Sequence, residues 1–388
     1  MTKEQLLFAL LRSELGGGAA DDSVKNNCTN EVLEQVCALA IRHDLAHIVG
    51  QAMSRLGLPK SEPFLKCREI AKQAVFRYVR LSTEYERICK LFENVEIPFI
   101  PLKGSILREY YPEPWMRTSC DIDILVKQEN LHNAAEALRK ELLYTGGELI
   151  GDHDVALLSP GGVRLELHYD TVVESDAVME SRAVLSRVWE DATPAEAGGY
   201  RYEMSDEMFY FYHIAHMAKH LQNGGCGIRP FADMWILRHR VKYDEAARKQ
   251  LLDRGGLLTF AEAAERLSEA WFSGKDMDTL SRSLADYILS GGVYGSLQNS
   301  VAVQQSKQGG RFGYALRRIF LPYETIKFYF PVLQKRKWLL PVYQVVRWCK
   351  LLFNGGVKRS VHELQVNGAM SREETMSAGK LLQYLGLK

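Results

Sequence analysis

Apolar residues recur at intervals of three and four positions over long stretches before residue 95. This spacing runs through residues 31–56 and again through residues 64–93, and it is typical of one face of an amphipathic helix. The stripe predicted to be buried on the longer helix consists of Ile70, Val75, Tyr78, Leu81, Tyr85, Ile88 and Leu91. We therefore expect residues 1–90 to form a helical region that packs against the rest of the protein.

The same helical spacing returns after residue 200. It predicts one helix over residues 203–221, with Ser205 as its N-cap, and a second helix over residues 231–241. A glycine-rich break separates the two helices, because clustered glycines interrupt helical periodicity. Residues 201–388 are thus expected to form a helical C-terminal domain.

The pattern changes between these two helical regions. Short apolar runs with a period of two are typical of strands, and here they alternate with helical stretches. Strands are predicted over residues 96–101, 121–126, 154–158 and 163–169, and helices over residues 105–111 and 129–143. The last two strands flank a Ser-Pro-Gly-Gly turn and are expected to form a hairpin. Residues 91–200 therefore predict an α/β core, which gives the whole chain an α+β fold.

Two carboxylates lie on one side of the predicted strand 121–126. Alternation along a strand places Asp121 and Asp123 on one face, and Ile122 and Ile124 on the other, where they would enter a core. The two aspartate Cβ atoms would then be roughly 6–7 Å apart. That separation suits oxygen ligands shared by two divalent ions about 3.5–4 Å apart. The structural alternative is a solvated strand face that carries surface acids.

A third carboxylate follows on another predicted strand. Leu165 and Leu167 belong to its apolar side, so Glu166 and His168 share the opposite side. If the two strands are neighbours, Glu166 joins the aspartates and His168 lies beside them. Carboxylate oxygens in such a group are ligands that Mg²⁺ prefers.

A glycine-serine turn precedes the aspartates. Gly104 and Ser105 follow a predicted strand and open a predicted helix. Glycine permits close backbone approach, and N–H groups at a helix start attract anions such as phosphate. Lys103 and Arg117 are cations that flank the turn in sequence. Arg117 would either clamp phosphate oxygens or pair with an acid.

The composition limits the class of protein. The chain has 388 residues, of which 46% are hydrophobic and 25% charged, as in an ordinary globular protein of two or three domains. The net charge of +1 gives no general argument for nucleic-acid binding. Seven cysteines without C-x-x-C spacing predict reduced thiols in a cytoplasmic protein. We expect neither a signal peptide nor a membrane span, because the sequence has no pattern of either kind.

The motifs, taken in order, resemble a known family. The string I-P-F-I-P-L-K-G-S, followed by D-I-D-I-L-V and L-E-L-H, is similar to bacterial nucleotidyltransferase-like proteins of the DNA polymerase β superfamily. The resemblance extends more weakly through H-I-A-H-M-A-K-H and R-P-F-A-D-M. It implies a polymerase-β-type core, in which a mixed sheet is flanked by helices.

The resemblance also implies a reaction. A nucleoside monophosphate would pass from an NTP such as ATP to a hydroxyl, with release of pyrophosphate. Asp121 and Asp123 would bind two Mg²⁺ ions, and Glu166 would complete the site of the ion that activates the acceptor. The residues implied to contact the nucleotide are Lys103, Gly104, Ser105, Arg117 and His168.

The resemblance leaves the acceptor and two other functions open. The acceptor would be a small molecule, a glycan precursor or a protein side chain. One alternative is a non-catalytic protein that binds a nucleotide or a partner and retains the fold. The other alternative is an RNA-modifying nucleotidyltransferase.

Two features lie outside the nucleotidyltransferase motifs. His213, His216 and His220 share one face of the predicted helix 203–221. This pattern favours a polar face that packs against the rest of the protein. A contact with nucleotide or acceptor is the second interpretation, and a zinc site is the third. Residues 311–359 hold eleven lysines and arginines against one acid, with aromatic residues interleaved. We expect this basic tail to pack its aromatic side chains on the body of the protein. The alternative is contact with an anionic membrane, a lipid-linked substrate or nucleic acid.

Overall fold

The structure is α+β, with a mixed sheet between helices, as the sequence predicts. The sheet has five strands. This computed structural model describes residues 1–16, 22–58, 60–150, 153–171, 179–353 and 357–387. Parts of two predicted breaks, at Gly17-Gly18 and Pro59, lie outside the described residues.

Helices form the N-terminal part of the chain. They are α1 (Lys3–Leu15), α2 (Asp22–Asn26), α3 (Asn30–Arg42), α4 (Ala46–Arg55) and α5 (Glu62–Asn94). Helix α5 confirms the long helix predicted over residues 64–93. The predicted burial of Val75 is wrong, since its exposed fraction is 40%. Ala74 instead lies on the face of α5 that also buries Leu81 and Ile88, because intervals of seven residues return to one face of a helix.

The five-stranded sheet follows α5. Its strands are β1 (Phe99–Pro101), β2 (Asp121–Val126), β3 (Thr145–Ile150), β4 (Asp154–Leu158) and β5 (Arg164–His168). They lie in the order β1-β2-β5-β4-β3, with β2 and β5 parallel and the other neighbours antiparallel. The predicted hairpin is confirmed by β4 and β5, whereas β3 was not predicted, because Gly146 and Gly147 weaken a strand pattern.

Short helical elements connect the strands. Helix α6 (Gly104–Leu107) lies between β1 and β2, and α7 (Leu131–Leu142) lies between β2 and β3. Three 3₁₀ turns accompany them at Arg108–Tyr110, Pro114–Met116 and Gln128–Asn130. The predicted helix over residues 105–111 is therefore an α turn followed by a 3₁₀ turn.

The C-terminal part of the chain is helical, apart from the two-stranded sheet of β6 (Thr193–Pro194) and β7 (Tyr202–Glu203). The helices up to residue 290 are α8 (Met179–Leu185), α9 (Val188–Asp191), α10 (Asp206–Gln222), α11 (Arg229–Arg240), α12 (Glu245–Arg254), α13 (Leu258–Phe272) and α14 (Thr279–Ser290). The Ser205 hydroxyl accepts a hydrogen bond from the Met208 N–H, which confirms the predicted N-cap of α10.

Further helices follow to the end of the described chain. They are α15 (Leu297–Lys307), α16 (Gly310–Ile319), α17 (Tyr323–Tyr329), α18 (Val332–Lys335), α19 (Leu340–Phe353), α20 (Val357–Ala369) and α21 (Arg372–Tyr384), with a 3₁₀ turn at Lys337–Leu339. No helix within the described residues combines the length and apolar character that crossing a membrane requires.

The five-stranded sheet separates two hydrophobic cores. On one face, Ile122 and Leu165 belong to a core that includes residues of α5 and α7. On the other face, Ile100 and Leu125 belong to a larger core shared by the N-terminal helices and the helices after residue 205. Because strand residues alternate between faces, Asp123 lies on the side of the larger core. The sheet therefore presents the acidic residues toward the C-terminal helices.

Candidate active site

Strand pairing brings two of the predicted carboxylates together. Strands β2 and β5 are parallel neighbours, with Asp123 opposite Glu166 and Leu125 opposite His168. The condition on which Glu166 joins the aspartates, that these strands are neighbours, is thereby met. Each acid is held by a strand whose alternate residues are buried in the core, so the hydrophobic pattern itself fixes where the carboxylates point.

Asp123 is buried between two nitrogen groups. Its Oδ1 atom lies 2.7 Å from Lys103 Nζ and 2.9 Å from His168 Nε2. Burial raises the pKa of Asp123, but the Lys103 ammonium and the His168 imidazole outweigh it and hold that pKa below its ordinary value. Asp123 is therefore ionised at neutral pH, in the form that can bind a cation.

Glu166 completes a compact group of ligand atoms. Its Oε2 atom lies 3.8 Å from His168 Nε2, and its Oε1 atom forms an ion pair with Arg164 Nη2 at 2.9 Å. Ligand atoms of Asp123, Glu166 and His168 all lie within 4.8 Å of one another, and no other trio of acidic, histidine or cysteine ligands within the described chain does so. Burial raises the pKa of Glu166, and the charges on Asp123 and Asp121 raise it further.

Asp121 is near this group but is not one of its members. It is partly buried at the start of β2. Burial raises the pKa of Asp121, and the carboxylate of Asp123 adds to that effect. Two of the three predicted metal ligands thus come together with His168, while the third lies on the edge of the group.

The Lys103 backbone holds its ammonium against the acids. Lys103 has φ +44°, a conformation that a residue with a side chain rarely adopts, directly before α6. Burial lowers the pKa of Lys103, but Tyr212 and Asp123 raise it more, so the group stays charged. Backbone strain of this kind persists where the surrounding structure fixes the position of a side chain.

The glycine-serine turn is tightly enclosed. A Cβ at Gly104 would lie 3.3 Å from Arg117 Nη1 and 3.3 Å from Ser119 Cβ. The Ser105 backbone N–H donates to the carbonyl of Leu102, and the Ser105 side chain is partly buried. Gly104 therefore permits close approach of this protein's own side chains, and its predicted contact with phosphate remains a prediction.

Arg117 pairs with a buried acid on α11. Its Nε and Nη2 atoms lie 3.0 Å from the two carboxylate oxygens of Asp233, and the Tyr111 hydroxyl donates to the same carboxylate at 2.7 Å. Burial raises the pKa of Asp233, and Arg117 outweighs it, so the net shift is downward. Of the two roles that the sequence left open for Arg117, pairing with an acid is the one present here.

The face of α10 that carries Tyr212 and His216 lies toward the acids and Lys103. Burial raises the pKa of Tyr212 to about 12, and its charge neighbours are Lys103, Asp123 and Glu166. Burial lowers the pKa of His216, and the Lys103 ammonium lowers it further. Tyr212 was not predicted, because a buried aromatic residue on a helix has the pattern of a core residue.

The three predicted histidines of α10 separate into two environments. His216 Nε2 and His220 Nε2 are 3.1 Å apart, whereas His213 Nε2 contacts the carbonyl of Pro230 at 2.9 Å. Burial lowers the pKa of His220 to about 4, so it is neutral at physiological pH. The polar packing role that the sequence favoured for this face stays a prediction.

A second cation and an exposed tyrosine lie near Asp121. Arg229 Nη1 bonds to Asp44 Oδ2 and to the Thr118 carbonyl, each at 3.0 Å, and its charge opposes part of the rise in the pKa of Asp121. Tyr294 is 76% exposed and also interacts with Asp121. Arg229 begins the R-P-F-A-D-M motif, which could have marked it as a site residue. The only sequence feature that could have marked Tyr294 is the glycines around it.

Comparison with known proteins identifies the family. The model of a family described as uncharacterised nucleotidyltransferase matches residues 30–273, a range that contains every residue of the acidic group. No curated protein and no solved structure matches the chain significantly. The match covers more than half of the 388 residues. The chain therefore belongs to this nucleotidyltransferase family.

Proposed function

We propose that the protein transfers a nucleoside monophosphate from an NTP to a hydroxyl acceptor and releases pyrophosphate, on a polymerase-β-type core. The observation that carries this proposal is the pairing of Asp123 with Glu166 across parallel strands, within a group of ligand atoms no more than 4.8 Å apart. Family membership supports the same reaction class. A small molecule, a glycan precursor or a protein side chain is the proposed acceptor.

The donor atoms fit divalent magnesium. Two carboxylates converge with an imidazole, and oxygen donors are those that Mg²⁺ prefers. Asp123 and Glu166 would hold the metal, and Asp121 would join them where two ions bind. When bound, Mg²⁺ neutralises charge on the triphosphate and on the attacking oxygen.

The acids favour a cation for an electrostatic reason. The raised pKa values of Asp121 and Glu166 reflect burial together with mutual repulsion of the carboxylates. A metal ion relieves that repulsion. The site therefore gains affinity for a divalent cation from the same charges that make it unfavourable without one.

Lys103 supplies the remaining positive charge. Its ammonium contacts Asp123 at 2.7 Å and stands directly before the Gly104-Ser105 turn. In the proposed complex, Asp123 would hold the metal, and the Lys103 ammonium would contact a phosphate oxygen of the NTP instead of the Asp123 carboxylate. Ser105 then donates to a second phosphate oxygen, and His168 remains against Asp123 to orient it.

A non-catalytic nucleotide-binding protein is the second candidate. The observation that favours it is the Lys103–Asp123 ion pair, which already neutralises one acid without metal. If this pair is permanent, an NTP binds through cations alone and no transfer takes place. The two candidates differ in whether metal displaces Lys103.

The test measures metal, nucleotide and product in parallel. A thermal-shift screen of the four NTPs with and without Mg²⁺ selects the nucleotide, and mass analysis of candidate acceptors detects nucleotidylation. Asp123→Asn should abolish both Mg²⁺-dependent stabilisation and turnover, because asparagine retains shape but loses charge. Glu136→Gln, an exposed acid on α7, is the matched control and should behave as wild type.

A structure with a non-hydrolysable NTP and Mg²⁺ separates the candidates. Catalysis stands if the α-phosphate lies beside Asp123 and Glu166 with an open path for a hydroxyl. Mg²⁺-independent binding with the Lys103 contact intact supports the non-catalytic candidate. A nucleotide bound elsewhere on the protein contradicts both.

A further inference from the structure

Residues 311–359, here called the basic segment, concentrate the positive charge of the protein. The segment has eleven lysines and arginines and one acid, Glu324, a local balance of +10. Because the whole chain carries +1, the remaining residues together carry −9. Such asymmetry marks an electrostatic surface whose partner is anionic.

The basic segment has a small core of its own. Ile326, Phe330 and Leu333 form a buried cluster that is separate from the two large cores beside the sheet. Tyr314 and Arg318 attach it to α20 through Glu363. Changes to exposed side chains of this segment should therefore leave the candidate active site intact.

Apolar side chains of the segment face outward in helical rows. On α16, Phe312, Leu316 and Ile319 are all exposed at intervals of four and three residues. On α19, Val342, Val345 and Leu352 are exposed, and Trp338, just before this helix, is 75% exposed. The expectation that the aromatic residues pack on the body of the protein is wrong for Phe312 and Trp338. These rows give the segment the two-sided character of an interfacial membrane helix.

A groove of about 650 Å³ lies in the same segment. Its apolar lining includes Ile319, Phe330 and Trp348, and its cations are Arg318, Arg347 and Lys350. An apolar groove with cations beside it matches an amphiphile with an anionic head and a hydrocarbon chain. The volume lies within the range of ligand-sized cavities.

We propose that the basic segment docks the protein on the surface of an anionic phospholipid bilayer. In this arrangement the exposed apolar rows insert at the boundary of head groups and acyl chains, and lysines and arginines contact lipid phosphates. The groove accepts part of one phospholipid. The many exposed aliphatic side chains favour lipid over nucleic acid, because nucleic-acid interfaces are polar and bases stack on aromatic side chains instead.

The test is flotation of the full-length protein with vesicles. Wild type should float with vesicles of phosphatidylcholine and phosphatidylglycerol, should not float with phosphatidylcholine alone, and should be released by salt. Reversal of Arg317, Lys335 and Lys358 to Glu should weaken partitioning by more than about tenfold. These three side chains make no hydrogen bond or ion pair within the described part of the chain, so the reversal removes no internal partner.

Matched controls test whether binding depends on where the charges and the exposed apolar side chains lie in the protein. The triple reversal of Lys90, Lys249 and Arg282 to Glu changes net charge equally outside the segment and should retain most binding. Leu316→Ser with Leu352→Ser should lose binding, whereas Phe76→Ser with Val79→Ser, exposed on α5, should not.

Four results would overturn the membrane proposal. They are equal flotation of all variants, binding to neutral vesicles, tighter binding of a single-stranded RNA oligonucleotide than of anionic vesicles, and dimerisation that the Leu316/Leu352 variant abolishes. Thermal midpoints of all variants should match wild type, which excludes unfolding as the cause of lost binding. None of these readouts depends on nucleotidyl transfer.

Discussion

The buried pair of Arg117 and Asp233 offers a sharp prediction about stability. It joins the segment before β2 to α11 through two hydrogen bonds of 3.0 Å, and the Arg117 and Asp233 side chains are only 9% and 0% exposed. Arg117→Met removes the charge but keeps most of the length and apolar stem of the side chain. Asp233→Leu removes the negative charge and puts an apolar side chain in its place.

The size of the effect follows from burial. Removal of one partner leaves the other charge buried and uncompensated, which costs about 3–5 kcal/mol of the free energy of unfolding. Asp233→Leu also leaves the Tyr111 hydroxyl without its acceptor, which costs about 1 kcal/mol more. The double variant replaces the pair by apolar groups of similar volume and should regain most of this loss.

The assay is urea unfolding of the wild type, both single variants and the double variant. The four values form a double-mutant cycle, and the coupling should favour the pair by at least about 3 kcal/mol. The stability lost in Arg117→Met should shrink at acid pH. In wild type, the lowered pKa of Asp233 contributes stability above the ordinary carboxylate pKa, and this is lost as pH falls through the lowered value.

Nucleotide titration of the same variants tests the other role of Arg117. If the arginine acts through Asp233, the folded double variant should bind NTP as wild type does. An Arg117→Met variant with wild-type stability, or a stable double variant that has lost NTP binding, would refute the structural role and favour a triphosphate clamp.

Four further predictions concern the site and its surroundings. With a chelator present, the free energy of unfolding should fall as pH rises between the ordinary and the raised pKa of Glu166. The reason is that the folded state binds more protons than the unfolded state in this range. Glu166→Gln should flatten this pH dependence in thermal unfolding. Lys103→Met should lower stability without metal and should strengthen Mg²⁺ binding measured by calorimetry, since the competing ammonium is gone. Gly104→Val should weaken NTP binding and lower the unfolding midpoint, because its Cβ crowds Arg117, whereas Ser105→Ala should cost only about 0.5–1.5 kcal/mol of NTP binding. Elemental analysis should find no stoichiometric zinc, and a chelator should not unfold the protein; one zinc per chain that is lost in His216→Ala would contradict the packing role.

Local pattern was sufficient to predict the strands that carry the acids. The strand over 121–126 and the position of Glu166 follow from alternation, because both faces of a buried strand are specified by their side chains. Strand β3 could not be predicted in the same way. Its glycines leave few side chains to show a period of two, and its place at the edge of the sheet is set by pairing with β4.

Partners distant in sequence were beyond the reach of local pattern. Two roles were open for Arg117 from the sequence, and only the fold brings Asp233 of α11 to it. Likewise, the contact of Lys103 with Asp123 depends on a backbone conformation that lysine rarely adopts, and propensity alone does not indicate it. Side-chain chemistry was thus predictable where a strand fixes direction, and not where the contact depends on a partner distant in sequence or on an unusual backbone conformation.

The stacking of Phe8 on Trp271, with ring centroids 4.7 Å apart, has a consequence for synthesis of the protein. Helix α1 emerges from the ribosome long before its buried partner on α13. At the usual rates of translation the delay is roughly ten seconds or more. During that time Phe8 lacks its native partner on α13, although α3 and α4, which also pack against α1, have already emerged. The nascent chain therefore presents part of an apolar helix that chaperones recognise. Expression yield should therefore respond to chaperone supply more strongly than the stability of the finished fold would suggest.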